Sequence, residues 1–399
     1  MRPPPSTGAD LASRRPCVSP EETLSAASLP TTGASLAGDR ADWPRGSFVT
    51  AVESVLDSFV ESRRATVDSV GPVYAEAVDE LRSFVLRGGK RIRPAFAWTG
   101  WLGAGGDPSG PDAPAVLQVC SALEFVQACA LVHDDIIDSS LTRRGFPTVH
   151  VTFAERHRRS EWIGDPVAFG EAVAILLGDL ALCWADDLIR EADLPIETVR
   201  RVGPMWSAMR TEVLGGQLLD IAVEARSDDS LDAALRIDRY KTAAYTVERP
   251  LLIGGALANA DAELLDVYRT FGADIGIAFQ LRDDLLGVFG DPAVTGKPSG
   301  DDLREGKRTV LIAAALDVAD RDDPAAAETI RAGLGTDLTA AQVDEMRDLL
   351  VRLGAVDDVE RRITDLTDSA LTALSGADIS PDAADRLVAM AHAATRRTT

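Results

Sequence analysis

The chain has 399 residues, of which 46% are apolar and 5% aromatic, and it carries a formal net charge of −22. This length suffices for one large domain or two ordinary ones. The negative charge argues against nucleic acid and anionic membrane surfaces as partners, so an anionic substrate would need a local basic patch or metal ions.

Residues 1–46 are rich in Pro, Ser, Gly, Ala and Thr and lack helical periodicity, which predicts a disordered N-terminal tail. We expect residues 47–399 to form a single all-α catalytic domain. Arg14 and Arg15 precede no apolar segment, which argues against a twin-arginine export signal. The four cysteines lack Cys-x-x-Cys spacing and three lie in apolar helical segments, so we expect reduced core residues in a cytoplasmic protein.

Apolar residues recur every three or four positions from Phe48 onward, which predicts a helix. A second helix is predicted over 72–86, ending before the paired glycines Gly88 and Gly89. These glycines open the segment Gly-Gly-Lys-Arg-Ile-Arg-Pro, where the backbone can approach a ligand and Lys and Arg can donate to phosphate. An ordinary basic helix start on the surface is the alternative for this segment by itself.

Three aspartates follow the next apolar run, 116–132. Asp134 and Asp138 are four residues apart, so they share one face of a helix, and Asp135 lies three before Asp138. Carboxylates clustered at the end of a buried helix repel one another and lose hydration, so they need a positive partner. Mg²⁺ is a suitable partner because it binds carboxylate oxygens and keeps positions for water and phosphate. A salt-bridged or solvated helix end is the alternative.

The chain after the first acid motif is predicted to be helical, with polar segments between helices at 143–150, 155–166 and 224–234. The apolar stretch 167–188 contains four acidic residues, which predicts a buried helix of a soluble protein rather than a membrane span. Lys241 and Thr242 open a helix that we expect to kink at Pro250. This pair is either a donor pair for phosphate or an ordinary surface lysine with its neighbour.

A second pair of acids, Asp283 and Asp284, ends another apolar helical run, so the two motifs predict opposite walls of one metal site. The glycine-rich loop 296–309 follows with two spaced lysines, Lys297 and Lys307, and we expect it to cover the site as a lid. Strand alternation is not visible, which predicts an all-α bundle.

This constellation contains no Ser-His-Asp arrangement, catalytic Cys-His pair or dinucleotide-binding loop. Metal-bridged aspartates would hold a diphosphate and stabilise it as a leaving group. The basic residues would hold a second diphosphate or neutralise the departing one. An apolar interior would accommodate a hydrocarbon chain and exclude water from a carbocation.

The motifs at 127–145 and 279–309 resemble those of the trans-isoprenyl diphosphate synthases, or polyprenyl synthetases. The resemblance implies an isoprenoid synthase-type helical bundle around an apolar cavity, a homodimer, and Mg²⁺-dependent condensation of isopentenyl diphosphate with an allylic diphosphate. The metal ligands it implies are Asp134, Asp135, Asp138, Asp283 and Asp284. The implied isopentenyl diphosphate ligands are Lys90, Arg93, Gln127 and Arg144. The implied allylic diphosphate ligands are Arg143, Lys241, Thr242, Gln280, Lys297 and Lys307.

One residue departs from the family pattern. The second motif of the family usually ends in a third aspartate, and here Gly287 occupies that place. Asp283 and Asp284 remain, so we expect an active protein in which Asp291, a further turn along, assists through water.

Small residues precede the first acid motif at the positions where family members with short products carry aromatic side chains. These chain-length residues are Val126, Cys129 and Ala130. Their size predicts a product longer than farnesyl diphosphate, and geranylgeranyl diphosphate is the product we expect, with longer polyprenyl or farnesyl diphosphate as alternatives. A class I terpene cyclase and an inactive regulatory subunit are the other functions considered. The basic segment at 88–94 argues against the cyclase because a cyclase needs no second diphosphate site.

Overall fold

The computed structural model describes residues 46–291 and 300–396, so the predicted tail up to residue 45 lies outside it. Within these ranges the regular structure is helical apart from one short hairpin, which confirms the all-α prediction. The elements are α1 (Ser47–Ser62), α2 (Arg64–Val70), α3 (Pro72–Leu86), α4 (Ile92–Gly103), α5 (Ala113–Ile137), β1 (Thr142–Arg143), β2 (Phe146–Pro147), α6 (Val149–Arg159), α7 (Pro166–Arg190), α8 (Ile196–Arg226), α9 (Leu231–Ile237), a π-helix (Asp238–Glu248), α10 (Arg249–Leu257), α11 (Ala262–Phe289), α12 (Asp301–Glu305), α13 (Val310–Asp322), α14 (Pro324–Gly333), α15 (Ala340–Arg352), α16 (Ala355–Ser375) and α17 (Pro381–Thr395).

The central helix is α5, which packs against α7, α4 and α1. Its side chains are buried on all faces along most of its length, as expected of a helix that is apolar all round. Apart from Glu124, which pairs with Arg91, its acidic residues Asp134, Asp135 and Asp138 lie where the helix ends. The fold therefore places the first acid motif at the mouth of an apolar core.

Local sequence signals account for several helix boundaries. The predicted helix over 72–86 matches α3, and α1 buries Phe48, Val52 and Phe59 on one stripe as expected. After α3, Gly88 and Gly89 have φ values of +70° and +109°, which side-chain-bearing residues rarely adopt. The paired glycines thus end α3 and turn the chain into the basic segment.

Two of the predicted connectors are wrong. Most of the first half of 155–166 is helical, because α6 extends to Arg159 with His157 and Phe153 buried on a largely polar helix. The acidic segment 224–234 is mainly helical as well, since α8 reaches Arg226 and α9 begins at Leu231. The sequence analysis missed these helical residues because the segments are mostly polar and bury only a narrow face.

The segment around Pro250 is continuous helix, but its first part is a π-helix, Asp238–Glu248. Pro250 is the second residue of α10, immediately after the π-helix, and it has no backbone N–H to donate to the preceding turn. Glycines on two neighbouring helices allow the π-helix to pack closely. A Cβ on Gly216 of α8 would lie 2.3 Å from Lys241 N, and one on Gly276 of α11 would lie 2.5 Å from Ala243 Cα.

Two clusters of buried apolar residues form the core, and α11 contributes to both. Phe271 and Ile275 in its first part belong to the larger cluster around α5, whereas Leu281 and Leu285 pack with α13–α16. The second acid motif therefore lies on the helix that connects the two clusters. The single-domain boundary at residue 47 stays a prediction.

By length and composition, α5 and α7 are apolar enough to cross a membrane. The most apolar window of α5 is 78% buried within the protein, but that of α7 is only 33% buried. The expectation that 167–188 forms a buried helix is therefore wrong for most of its surface. Cys183 on α7 is exposed, contrary to its expected core position, while Cys120 and Cys129 are buried.

Candidate active site

The first acid motif is held by two cations that come from other parts of the chain. Arg143 Nε donates to Asp135 Oδ1 at 2.6 Å, and its Nη2 donates to Asp134 Oδ2 at 3.3 Å. Lys241 Nζ lies 3.2 Å from Asp134 Oδ1. The structure thus brings together four residues that the family resemblance assigned to the site, Asp134 and Asp135 to metal and Arg143 and Lys241 to allylic diphosphate.

These aspartates respond differently to burial. Burial raises the pKa of Asp135 to about 6, against the opposing effect of Arg143. The pKa of Asp138 is also raised, by burial and by the charge of Asp134. Burial acts in the same direction on Asp134, but Lys241 and Arg143 outweigh it and hold that pKa below its usual value. Further positive charge here would stabilise the ionised cluster.

A hairpin explains how two adjacent arginines reach different places. Arg143 pairs with Phe146 across β1 and β2, and the two loop residues Arg144 and Gly145 have φ values of +54° and +78°. Positive φ at both positions is typical of the tightest hairpin turns. Arg143 consequently contacts the aspartates of α5, while Arg144 Nη1 donates to the carbonyl oxygens of Arg87 and Gly88.

Asp220 is a site residue that the sequence reasoning missed. Its Oδ2 accepts a hydrogen bond from Lys241 Nζ at 2.5 Å, so the ammonium group bridges α8 and α5. The available signal was the Gly-Gly-Gln segment at 215–217, because glycines inside a helix indicate close approach of another element. Gly216 allows that approach and so positions Lys241.

The second acid motif joins the first through side chains of the π-helix. Thr242 Oγ1 donates to Gln280 Oε1, and Gln280 Nε2 donates to Asp284 Oδ1, both at 2.7 Å. Lys241, next to Thr242, contacts Asp134. Burial raises the pKa of Asp284 well above its usual value, and the charge of Asp238 adds to this effect. Asp283 precedes Asp284 and is half-buried.

Lys307 lies between Asp138 of the first acid motif and two acidic residues of α12. Its Nζ is 2.8 Å from Glu305 and 3.9 Å from both Asp138 Oδ2 and Asp302 Oδ1. The loop 296–309, which was predicted to cover the site as a lid, contains the short helix α12 just before Lys307. Lys297 lies outside the described residues.

The basic segment 88–94 lies beside the hairpin. Gly89 allows the guanidinium of Arg144 to approach, since a Cβ there would lie 3.4 Å from Arg144 Nη1. Burial lowers the pKa of Arg144, and Arg91 and Arg93 add to this lowering. Lys90 is exposed at the same turn. Crowded cations favour the binding of an anion such as diphosphate.

Arg91 has a structural role in this segment, because it forms ion pairs with other helices. It is buried, and it donates to Glu124 at 2.6 Å and to Glu53 at 3.1 Å. Its φ of +49° marks a left-handed turn at the start of α4. This ion pair fixes the segment to α5 and leaves Lys90 and Arg93 on either side of the turn.

Tyr245 on the π-helix connects two predicted isopentenyl diphosphate ligands. Its hydroxyl donates to Gln127 Oε1, and the guanidinium carbon of Arg93 lies 3.9 Å from the centre of its ring. Arg93 also donates to Thr246 Oγ1 at 2.8 Å. Sequence reasoning missed Tyr245 because nothing local indicates that it meets Gln127, 118 residues away.

The three chain-length residues lie on α5 before the aspartates. Val126 and Cys129 are buried and Ala130 is half-buried. Cys129 Sγ is 3.7 Å from His133 Nδ1, and His133 packs where a Cβ on Gly178 of α7 would otherwise lie. Cys129 is therefore on the side of α5 that faces α7.

The donor set suits a hard cation. Asp135 and Asp284 are 1% and 3% exposed, and the Oδ2 atom of each is buried without a hydrogen-bond partner. Buried carboxylate oxygens of this kind are ligands that Mg²⁺ prefers. Within 46–291 and 300–396, no three His, Cys, Asp or Glu side chains form a preassembled metal site, and Lys241, Arg143 and Lys307 balance the carboxylates.

An all-α bundle with two linked acid-bearing helices and an adjoining basic turn defines a protein of the isoprenoid synthase class. The family model described as Polyprenyl synthetase matches residues 75–349. The chain therefore belongs to the polyprenyl synthetase family, a family of trans-prenyltransferases, and the resemblance inferred from the two motifs is confirmed.

Three relatives illustrate the similarity. The chain is 32% identical to a geranylfarnesyl diphosphate synthase of Aeropyrum pernix, over 71% of this chain and 89% of that protein. It is 32% identical to a geranylgeranyl diphosphate synthase of Mycobacterium tuberculosis, over 77% and 80%. The crystal structure of a geranylgeranyl pyrophosphate synthase from Corynebacterium glutamicum, complexed with isoprenyl diphosphate and magnesium, is 49% identical with a TM-score of 0.85, covering 88% and 98%.

Proposed function

We propose that this protein is a Mg²⁺-dependent prenyltransferase that condenses isopentenyl diphosphate with an allylic diphosphate. One observation carries the proposal: Lys241, Thr242 and Gln280 connect Asp134 on α5 to Asp284 on α11. Two acid-bearing helices joined in this way can hold metal ions that bind one and the same diphosphate. The named relatives, which are prenyl diphosphate synthases, support the same reaction.

The allylic diphosphate binds between the two acid motifs. Asp134, Asp135, Asp138, Asp283 and Asp284 would hold Mg²⁺, which would supply positive charge that favours departure of the diphosphate. Arg143, Lys241 and Lys307 donate to its oxygens once they exchange their present carboxylate partners for phosphate. Gln280 and Thr242 orient the group from the π-helix side, and Lys297 is assigned to the same diphosphate by resemblance.

Isopentenyl diphosphate binds at the basic turn. Lys90, Arg93 and Arg144 neutralise its phosphates, and Gln127 adds a polar contact from α5. Its double bond attacks the allylic carbon as the allylic diphosphate leaves, and the proton that is then lost passes to the released pyrophosphate. The apolar interior next to α5 excludes water from the carbocation.

The proposed product is geranylgeranyl diphosphate. Val126, Cys129 and Ala130 are small, so a chain longer than farnesyl has room beside α5. The test is incubation of the purified protein with labelled isopentenyl diphosphate and dimethylallyl, geranyl or farnesyl diphosphate, followed by chromatography of the products. Geranylgeranyl diphosphate is expected. Release of hydrocarbon from geranylgeranyl diphosphate alone would instead identify a cyclase, and absence of any product would indicate a regulatory subunit.

Replacing Tyr245 by Phe is expected to raise the KM for isopentenyl diphosphate by about 10-fold, with the KM for the allylic substrate unchanged. The substitution removes the hydrogen bond that orients Gln127 but keeps the ring beneath Arg93. Steady-state kinetics with each substrate varied in turn measures the two constants. The control is Tyr240→Phe at an exposed position of the same helix. An equal rise in both KM values would contradict a role specific to the isopentenyl site.

A homodimer is proposed from the exposed apolar surface of α7 and α8. Leu176 on α7 and Leu218 on α8 are 67% and 66% exposed. Each has an exposed apolar neighbour on its own helix, Ile175 on α7 and Leu214 on α8. The helices contact each other where Arg210 pairs with Asp186. Apolar stripes on neighbouring helices are typical of a subunit interface, and a second copy of the chain is the proposed occupant.

Leu218→Glu is expected to convert the dimer into a monomer, because a carboxylate would be buried in the interface without a partner. Light scattering after size-exclusion chromatography gives the mass directly. Val351→Glu is the matched control, since Val351 is 56% exposed on α15. A mass unaffected by Leu218→Glu would show that this surface is not the interface.

A cytoplasmic location is also proposed, and the free cysteines Cys120, Cys129 and Cys183 support it.

A further inference from the structure

The place of the missing third aspartate in the second acid motif is filled by another residue. A Cβ built on Gly287 would lie 1.8 Å from Asp302 Oδ2 and 2.4 Å from Asp302 Cγ. Asp302 belongs to α12, whereas Gly287 lies on α11. The carboxylate of Asp302 thus lies in the space that a side chain at position 287 would occupy.

The surroundings of Asp302 are those of the site. Its Oδ1 lies 3.9 Å from Lys307 Nζ, which is equally far from Asp138 Oδ2 in the first acid motif. One turn before Gly287, Asp284 has a buried Oδ2 atom without a hydrogen-bond partner. Asp291, the residue expected to compensate, is exposed beyond the end of α11. Asp302 is therefore better placed than Asp291 to contribute an oxygen.

We propose that Asp302 supplies from α12 the metal-binding carboxylate that Gly287 lacks, completing the second cluster with Asp283 and Asp284. This inference rests on the proposed function, which places Mg²⁺ between the two acid motifs. Three carboxylates bind a hard divalent cation more tightly than two. Gly287 is then a requirement of the arrangement, because a side chain there would displace Asp302.

The arrangement predicts that positions 287 and 302 can exchange roles. Asp302→Ala removes the carboxylate and opens the space above position 287. Gly287→Asp in that background places a carboxylate in the same region from α11. Gly287→Asp by itself forces two carboxylates into one place and is expected to destabilise the fold.

The experiment measures Mn²⁺ binding by electron paramagnetic resonance in the presence of inorganic pyrophosphate. Asp302→Ala is expected to weaken Mn²⁺ binding by about 10-fold or more, and Gly287→Asp/Asp302→Ala is expected to restore most of that loss. Asp301→Ala, at the adjacent position of α12, is the matched control and is expected to bind as the wild type does. Thermal unfolding without metal verifies that each variant is folded.

Wild-type Mn²⁺ affinity in Asp302→Ala would overturn the inference. Failure of Gly287→Asp to restore binding in folded Asp302→Ala protein would also overturn it, since Asp302 would then act only through the fold. The proposed function is tested separately by product formation. If wild-type protein forms prenyl product while Asp302→Ala retains full Mn²⁺ affinity, the inference alone fails. If wild-type protein forms no product, the function fails whatever Asp302 does.

Discussion

The Asp134→Asn variant is expected to lose about 1000-fold in kcat/KM for the allylic substrate, the largest loss among the single substitutions considered. Asp134 contacts both Lys241 and Arg143, so it couples the cations of the allylic site to the end of α5. Asn keeps the size of the side chain but removes the charge that a divalent cation needs. Loss of charge therefore acts on both metal affinity and the positions of two cations.

Steady-state kinetics over a range of Mg²⁺ concentrations separates these contributions. A loss that high Mg²⁺ partly restores is the signature expected of a weakened metal site. Asp266→Asn is the control, because Asp266 is exposed on α11 and pairs only locally with Arg269. Activity of Asp134→Asn within a few-fold of wild type, with unchanged Mg²⁺ dependence, would refute the assignment of the first acid motif.

The Cys129→Phe variant is expected to form a product at least one isoprene unit shorter than that of the wild type. Cys129 is buried on α5, between one and two turns before Asp134, so an aromatic ring there would take up space beneath the diphosphate. The growing chain would meet the ring before reaching its full length. Chromatography of the products made from labelled isopentenyl diphosphate measures the change.

Cys129→Val provides the control, because it adds little volume at the same position and is expected to leave the product unchanged. Phe at this position must also be accommodated by His133 and α7, so a thermal unfolding measurement accompanies the assay. If folded Cys129→Phe protein makes the wild-type product, the end of the chain is limited by residues elsewhere in the bundle.

Chain-local patterns predicted much of the architecture. The apolar run before Asp134 predicted α5, and the glycine pair at 88–89 predicted the end of α3, because helix periodicity and backbone freedom depend on neighbouring residues. The same reasoning overlooked α6. That helix is polar except for a narrow face, so its apolar pattern is too weak to distinguish it from a connector.

The ligands were predicted from the resemblance of the motifs to those of a family, and that prediction did not include the partners of these residues. Asp220 and Tyr245 went unnoticed because neither lies in an acid or basic motif. Asp302 lies within the loop 296–309 that the sequence analysis singled out. Its proximity to Gly287 could not be predicted from the sequence, since the two residues belong to different helices. The exposed surface of α7 was misjudged for the same reason: apolar composition does not reveal which face another helix covers.

The sequence by itself determined that three carboxylates cluster at the end of one apolar helix, because side chains three and four residues apart share a helix face, and that a second pair of acids follows another apolar run. Only the tertiary structure decided that side chains of the π-helix link the two motifs. The Lys241–Asp134 contact spans 107 residues and depends on close packing of the π-helix against glycines of α8 and α11. Such contacts depend on how whole helices pack, and that packing minimises the free energy of the entire chain rather than of any one segment.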